Sequence, residues 1–502
     1  MSKRTKTFNN ITTLNATCSL LLQAANIISG LVIPRIIISV LGSETNGLIS
    51  SLSQFLNCAT LLEGGLSLTV MANLYSPLHK RDDKNISALF NASKKIYKQI
   101  SYIFACYALS IAVIYPLTTN TEFSFSYIST LTLIIAFSTF IQYNLSMPLK
   151  LLFNADKKVY LTSIVQIITI LLNTLTTSFI LVTFKSIHLA KLIATFIFLL
   201  QPLCYHVFIK KYFNINKSEQ ADKRLFKSRW DGLGVNIAAF IHYNTDIVVL
   251  TLFTNLETVS IYSIYALVTT GLRQVVTSIS AGIVPSLGHA YASKNQQKLK
   301  SIFEKYEFSI FFITYLLFSI GGMLITHFVI TYTQGVTDAN YYQPIFGILM
   351  IIAEAICCLR EPYINMAYSA NRLKAITKNT LIEALINILL SIILVPKFGL
   401  IGVAIGTITA MTYRLLFQLS YLKTIINSNN IKRFLQNVLC FTAPLVLGII
   451  FCITFRIVPT EYTLWQFIKF GFLYFILFTL LFATFNTRRA KKIFKINQQK
   501  EV

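Results

Sequence analysis

Ten ionisable side chains lie well inside long apolar runs of this chain. Arg35, Arg273, Arg360, Arg414 and Lys469 are basic; Glu63, Asp246, Glu354, Glu361 and Glu383 are acidic. A charge facing hydrocarbon costs several kcal/mol, so such groups turn towards a bundle interior or a watery cavity. Two chemistries suit them. A guanidinium binds phosphate through two parallel hydrogen bonds, and a carboxylate beside a histidine or amide takes a proton or a sodium ion. The structural alternative is internal ion pairing that fixes helix packing.

Spacing narrows these options. Arg35 directly follows Pro34 in "SGLVIPRIIISVLGSETNGL". The proline leaves a backbone carbonyl that needs a wet or polar neighbour, so a kink beside a cation points to a lined cavity. In "GLRQVVTSISAGIVP", Gln274 and Ser278 share one face and Thr277 lies one turn from Arg273. This polar stripe also reads as cavity lining, and Pro285 is expected to break the helix beyond it. His242 and Asp246 are four residues apart, with Asn236 and Asn244 nearby; Asn379, Glu383 and Asn387 form a second line at spacing four. Each suits a proton or sodium site, or a hydrogen-bonded helix contact. Glu354 and Glu361 share a face seven residues apart, and Arg360 has Glu354, Glu361 or Glu383 as possible ion-pair partners. Arg414 is expected to snorkel towards the membrane surface.

The elements that carry these residues follow from composition. The 502 residues are 54% hydrophobic and 13% charged, about half the charge of a soluble domain. Apolar runs long enough to cross a bilayer as helix recur at 13–41, 46–76, 99–118, 125–149, 159–183, 187–209, 230–254, 258–290, 306–330, 341–369, 377–396, 400–422, 435–456 and 463–486. The expected fold is therefore all-α and polytopic, with about 14 transmembrane helices. With the N-terminus placed in the cytoplasm, 35 of the 44 Lys and Arg residues fall in inner segments, four at outer edges and five within spans. That asymmetry places both termini on the cytoplasmic side, and it makes the net charge of +25 an orientation signal rather than a nucleic-acid footprint.

The basic stretch 210–229 divides the first twelve spans into two sixes. The expected organisation is an N-lobe at 1–209, a cytoplasmic linker at 210–229, a C-lobe at 230–428, an extra helix pair at 429–486 and a basic tail at 487–502. "SETNGLISSL" at 43–52 and "LETVSIYSIY" at 256–265 open the second spans of the two halves, an echo of the internal repeats common in transporters. Neither a phosphate-binding Walker loop nor an HExxH or GxSxG motif occurs, and the outer connections are too short for a catalytic domain. The eight cysteines lie in or beside apolar runs without CxxC spacing, as small core hydrophobes. An enzyme is not expected, nor a metal or cofactor, although H+ or Na+ are candidate coupling ions.

Several of these stretches resemble one family. "IPRIIISVLGSETNGL", "LLEGGLSLTVMANLY", "NTDIVVLTLFTNLETVSIYSIY" and "PKFGLIGVAIGTITAMTYR" are similar, in order, to helix corners of bacterial polysaccharide flippases, Wzx-like members of the MOP exporter superfamily. The resemblance implies two six-helix lobes in a V around a central cavity, worked by alternating access. It implies a polyprenyl-diphosphate-linked oligosaccharide repeat unit as substrate, moved from the inner to the outer leaflet of the bacterial plasma membrane. Membrane lipids and other polysaccharide-assembly membrane proteins are the expected further partners. Such flippases carry cavity arginines on their first, second and eighth helices; Arg35 matches the first and Arg273 the eighth, while the second offers Glu63 instead. Arg360 completes the expected diphosphate set. Glu63, His242, Asp246, Glu354, Glu383 and Asn387 are the expected cavity or ion-coupling set. The rival reading is an ion-coupled drug or cation exporter of the same superfamily.

Overall fold

The computed structural model describes residues 3–57, 59–63, 65–119, 121–216, 219, 244–293, 295–370, 372–426 and 430–495. Among them the chain is helical with no strand, as its uninterrupted apolar runs require: in a bilayer every backbone donor must be satisfied within its own segment. It divides into two compact units, 1–260 and 261–502.

The first unit holds α1 (Lys3–Leu41), α2 (Ser43–Leu56), α3 (Ala59–Glu63), α4 (Leu66–Lys80), α5 (Asp83–Thr118), α6 (Phe125–Ile141), α7 (Met147–Ala155), α8 (Val159–Phe184) and α9 (Ile187–Tyr212). It continues with α10 (Asn244–Phe253) and the first turn of α11 (Leu256–Ala292). The second unit holds the rest of α11 with α12 (Gln296–Tyr332), α13 (Pro344–Ser369), α14 (Leu373–Phe398), α15 (Leu400–Leu422), α16 (Asn430–Thr454) and α17 (Leu464–Lys495). Eleven spans among the described residues are long and apolar enough to cross a membrane. Each of the fourteen expected runs has helix at its place. Those outside the eleven are the charged α13, the segmented second run, and the seventh run. Of the seventh, only α10 lies within the described residues; His242, Asn236 and most of the 210–229 linker lie outside them.

Two expectations about helix continuity change. The run 46–76 is three helices, because Asn57 ends α2 and Gly65, at φ +84°, interrupts the chain before α4. Conversely, Pro285 does not break α11, which runs on to Ala292. A proline inside a helix removes one donor and disturbs one turn, which long flanking helical segments can absorb.

Within the first unit, α1 packs along α8, and α5, α6 and α9 form a neighbouring group. The α2 helix is held against α10 and the start of α11 through small and polar residues. Ser51 bonds Thr251 at 2.7 Å and receives the Tyr115 hydroxyl at 2.7 Å; Asn46 donates to Ser260 at 2.8 Å. Gly47 permits this approach, since a Cβ there would lie 1.8 Å from the Leu256 carbonyl oxygen. In the second unit α14 and α15 form the most extensive helix pair. Gly402 sets their spacing, because its missing Cβ would meet the Leu394 backbone at 2.6 Å.

Candidate functional site

A buried triad of charges lies in the second unit, where α13, α14 and α15 meet. Glu383 is wholly buried and accepts from two guanidiniums: Arg360 of α13 at 3.1 Å and Arg414 of α15. The side chains of Arg360 and Arg414 are only 3% and 6% exposed. The line of residues at spacing four on α14 does face this interior. Tyr413 donates to Asn379 at 3.1 Å, and Asn387 accepts the Ser391 hydroxyl at 3.0 Å. Arg360 therefore takes Glu383 among its three candidate partners, with a further 3.5 Å contact to the Cys357 sulfur. Arg414 does not snorkel as expected. It turns inward because the carboxylate on α14 offers a charged partner that the membrane interior would otherwise lack.

Arg273 sits differently. It lies on α11, and its Nε is 3.5 Å from Glu354 of α13, longer than a charge-assisted hydrogen bond of about 2.7–2.9 Å. Its side chain is 16% exposed, more than twice the exposure of either arginine on Glu383. The adjacent Gln274 and, about one turn on, Ser278 are exposed, and Ser278 and Thr277 return their hydroxyls to the Gln274 carbonyl at 2.7 and 3.1 Å. This stretch of the helix therefore presents polar side chains beside the exposed Val275 and Ile279. Glu361 lies two turns on from Glu354 on the same helix. It accepts from Asn365, which also donates to Ser280 and to Tyr306.

In the first unit, Arg35 is half-buried on α1. Glu63 closes α3, where the chain breaks, and accepts from the buried Tyr97 hydroxyl at 2.9 Å and from Ser67. Lys150 of α7 stands within electrostatic range of it. The π-helical turn Gln142–Ser146 joins α6 to α7 and buries Tyr143 in a stacked contact on Tyr97. Such turns recur at functional positions because they re-aim side chains. Asp246 is buried on α10 beside Asn244, which receives Gln54 of α2; its expected partner His242 lies outside the described residues.

Other charged partners escaped the sequence reading. Glu307 of α12 accepts from Tyr363 at 2.5 Å and from Arg433 of α16 at 2.6 Å, anchoring the extra helix pair to the unit's core. Lys150 and Tyr97 were missed as well, being 87 and 34 residues from Glu63 along the chain. Lys150 falls just past the end of the fourth apolar run, among the basic residues of an inner connection, so nothing in the sequence tied it to Glu63.

No family model and no curated protein sequence matches the chain, but its fold is shared with solved transporters. The lipid II flippase MurJ, in an inward closed conformation, matches at TM-score 0.72 and 16% identity over 93% of this chain and 99% of that one. The eukaryotic MATE transporter AtDTX14 matches at TM-score 0.62 and 13% identity, covering 86% and 98% of the two chains. An inward-facing multidrug resistance MATE transporter of the MOP superfamily matches at 0.58 and 13%, covering 81% and 96%. The protein is a multi-pass membrane protein with the fold of MOP-superfamily transporters.

Proposed function

We propose that the protein is a flippase for a polyprenyl-diphosphate-linked oligosaccharide, acting by alternating access in the bacterial plasma membrane with both termini in the cytoplasm. The observation that carries this reading is Arg273: a partly exposed cation in mid-span, on a helix whose neighbouring polar residues Gln274 and Ser278 are exposed. A diphosphate carries about two negative charges and needs guanidiniums to enter a membrane-spanning cavity. Arg273 and Arg35 are the residues assigned to it. Arg360, buried on Glu383, leaves the expected diphosphate set and serves packing instead.

Lipid-linked substrates also need a place for the tail. Between α12, α13 and α16 lies an apolar cavity of about 200 Å3, lined by Phe311, Tyr315, Phe318, Ile352, Leu359 and Phe441, which suits part of a polyprenyl chain. Glu63, in its cluster with Tyr97 and Lys150, is the carboxylate assigned to coupling with H+ or Na+. The reading includes no catalytic step on the glycan. The MATE folds support the alternative, an ion-coupled exporter of small cations, in which the same Glu63 would couple and Arg273 would be structural.

Native mass spectrometry of the protein extracted from its own membranes separates the two. The flippase reading expects a co-purifying polyprenyl-diphosphate glycan that is lost in Arg35→Ala and Arg273→Ala. Bulk phospholipid alone, in wild type and variants alike, would count against it.

A further inference from the structure

A second apolar trough lies on the first unit. It measures about 500 Å3 and is formed by α5, α6 and α9. Its floor is made of small residues, Ala105, Ala108, Ala136 and Thr195. Its rims are large and exposed: Leu109, Leu133, Phe137 and Phe196 are each at least 40% accessible. Small floor residues between tall rims leave an apolar slot, where larger side chains would have filled the gap.

One end of this slot is basic. On α5, Lys95, Lys98, Tyr102, Ala105 and Leu109 follow a three–four–three–four spacing, which keeps them on one face of the helix. Ala105 and Leu109 line the trough; Lys95 and Lys98 are exposed beyond it. Tyr102 bridges the two regions. Its ring lies 6.1 Å from Phe140, itself a lining residue, and the Lys98 ammonium is 5.9 Å from the same tyrosine ring. A tyrosine with an apolar body and a polar tip marks the depth at which hydrocarbon gives way to headgroups.

We propose that this trough is a binding site for an anionic phospholipid, with an acyl chain in the slot and the phosphate at Lys95 and Lys98. The charge complementarity selects this occupant. An apolar groove ending in two lysines fits an amphiphile whose head is negative, and lysine binds phosphate as a point charge. A helix from a partner protein would need an apolar face continuing past Tyr102, where the lysines lie.

The test is native mass spectrometry of the full-length protein from nanodiscs containing equal amounts of phosphatidylglycerol and phosphatidylcholine, followed through stepwise delipidation. Wild type is expected to hold one phosphatidylglycerol after phosphatidylcholine is gone. Each of Lys95→Ala and Lys98→Ala should weaken that retention about fivefold, the effect of about one lysine at a membrane surface. Lys300→Ala, an exposed lysine of α12, should leave it unchanged. Ala105→Trp fills the slot and should abolish retention. The two lysine variants keep the test decisive if the tryptophan variant fails to fold, because their side chains are exposed. The proposal is overturned if both lipids are retained equally, if the lysine variants hold phosphatidylglycerol as wild type does, or if a co-purifying polypeptide occupies the trough in place of lipid.

Discussion

Replacing Glu383 should destabilise the second unit more than replacing either arginine it holds. Glu383 is fully buried, and both of its partners are nearly so. Removing one member of a buried pair costs about 3–5 kcal/mol, because an uncompensated charge stays behind. Here one carboxylate serves two guanidiniums, so Glu383→Gln should reach the top of that range, about 5 kcal/mol. At about 2–4 °C per kcal/mol for a unit of this size, the thermal midpoint falls by roughly 10–20 °C. Arg414→Met leaves one cation facing one carboxylate and should cost about 1–3 kcal/mol. The combined Arg360→Met, Glu383→Leu, Arg414→Met variant replaces the triad with apolar groups of similar size, a change that is often neutral or stabilising. Fluorescence-detected melting in detergent gives all the midpoints. Glu383→Gln melting like wild type, or the triple variant melting as low as Glu383→Gln, would refute a triad held by mutual neutralisation.

Three further outcomes follow from the packing. Gly47→Ala drives a Cβ into the Leu256 carbonyl and should lower stability by about 1–3 kcal/mol, measured by the same melting assay. Arg433→Ala leaves Glu307 buried with only Tyr363 as partner; it should cost about 3–5 kcal/mol and speed proteolysis after the α15–α16 junction, read by limited trypsin digestion. Asp82 caps α5, and its carboxyl is held below the usual range first by the Asn85 amide and then by the Asn85 side chain. A depressed folded-state value means this contribution is complete above the ordinary carboxylate range and fades as pH falls through the lowered value. Asp82→Asn should therefore flatten that part of the acid-melting profile.

Much of this was legible in the sequence because membranes impose strong rules. Long apolar runs had to become helices, and the Arg360–Glu383 pairing was open to inference because both charges fell within spans that needed neutralisation. The spacing-four line on α14 also reached the interior it implied. What escaped were contacts between distant segments: Arg414 meets Glu383 across a helix hairpin, and Arg433 reaches Glu307 from 126 residues away. The break before Gly65 escaped too, since glycines inside apolar spans are common and only the surrounding packing decides whether one stays helical. Pro285 makes the converse case, a helix breaker that its helix tolerates.

The central claim is that Arg35 and Arg273 carry a lipid-linked diphosphate across the membrane. The most direct test reconstitutes the protein in proteoliposomes with a fluorescent polyprenyl-diphosphate oligosaccharide and follows its arrival in the opposite leaflet. The account predicts translocation by wild type and by the Arg360→Met, Glu383→Leu, Arg414→Met variant, and its loss in Arg35→Ala and Arg273→Ala. Export of a small organic cation with no movement of the diphosphate, or translocation undiminished in both alanine variants, would contradict it.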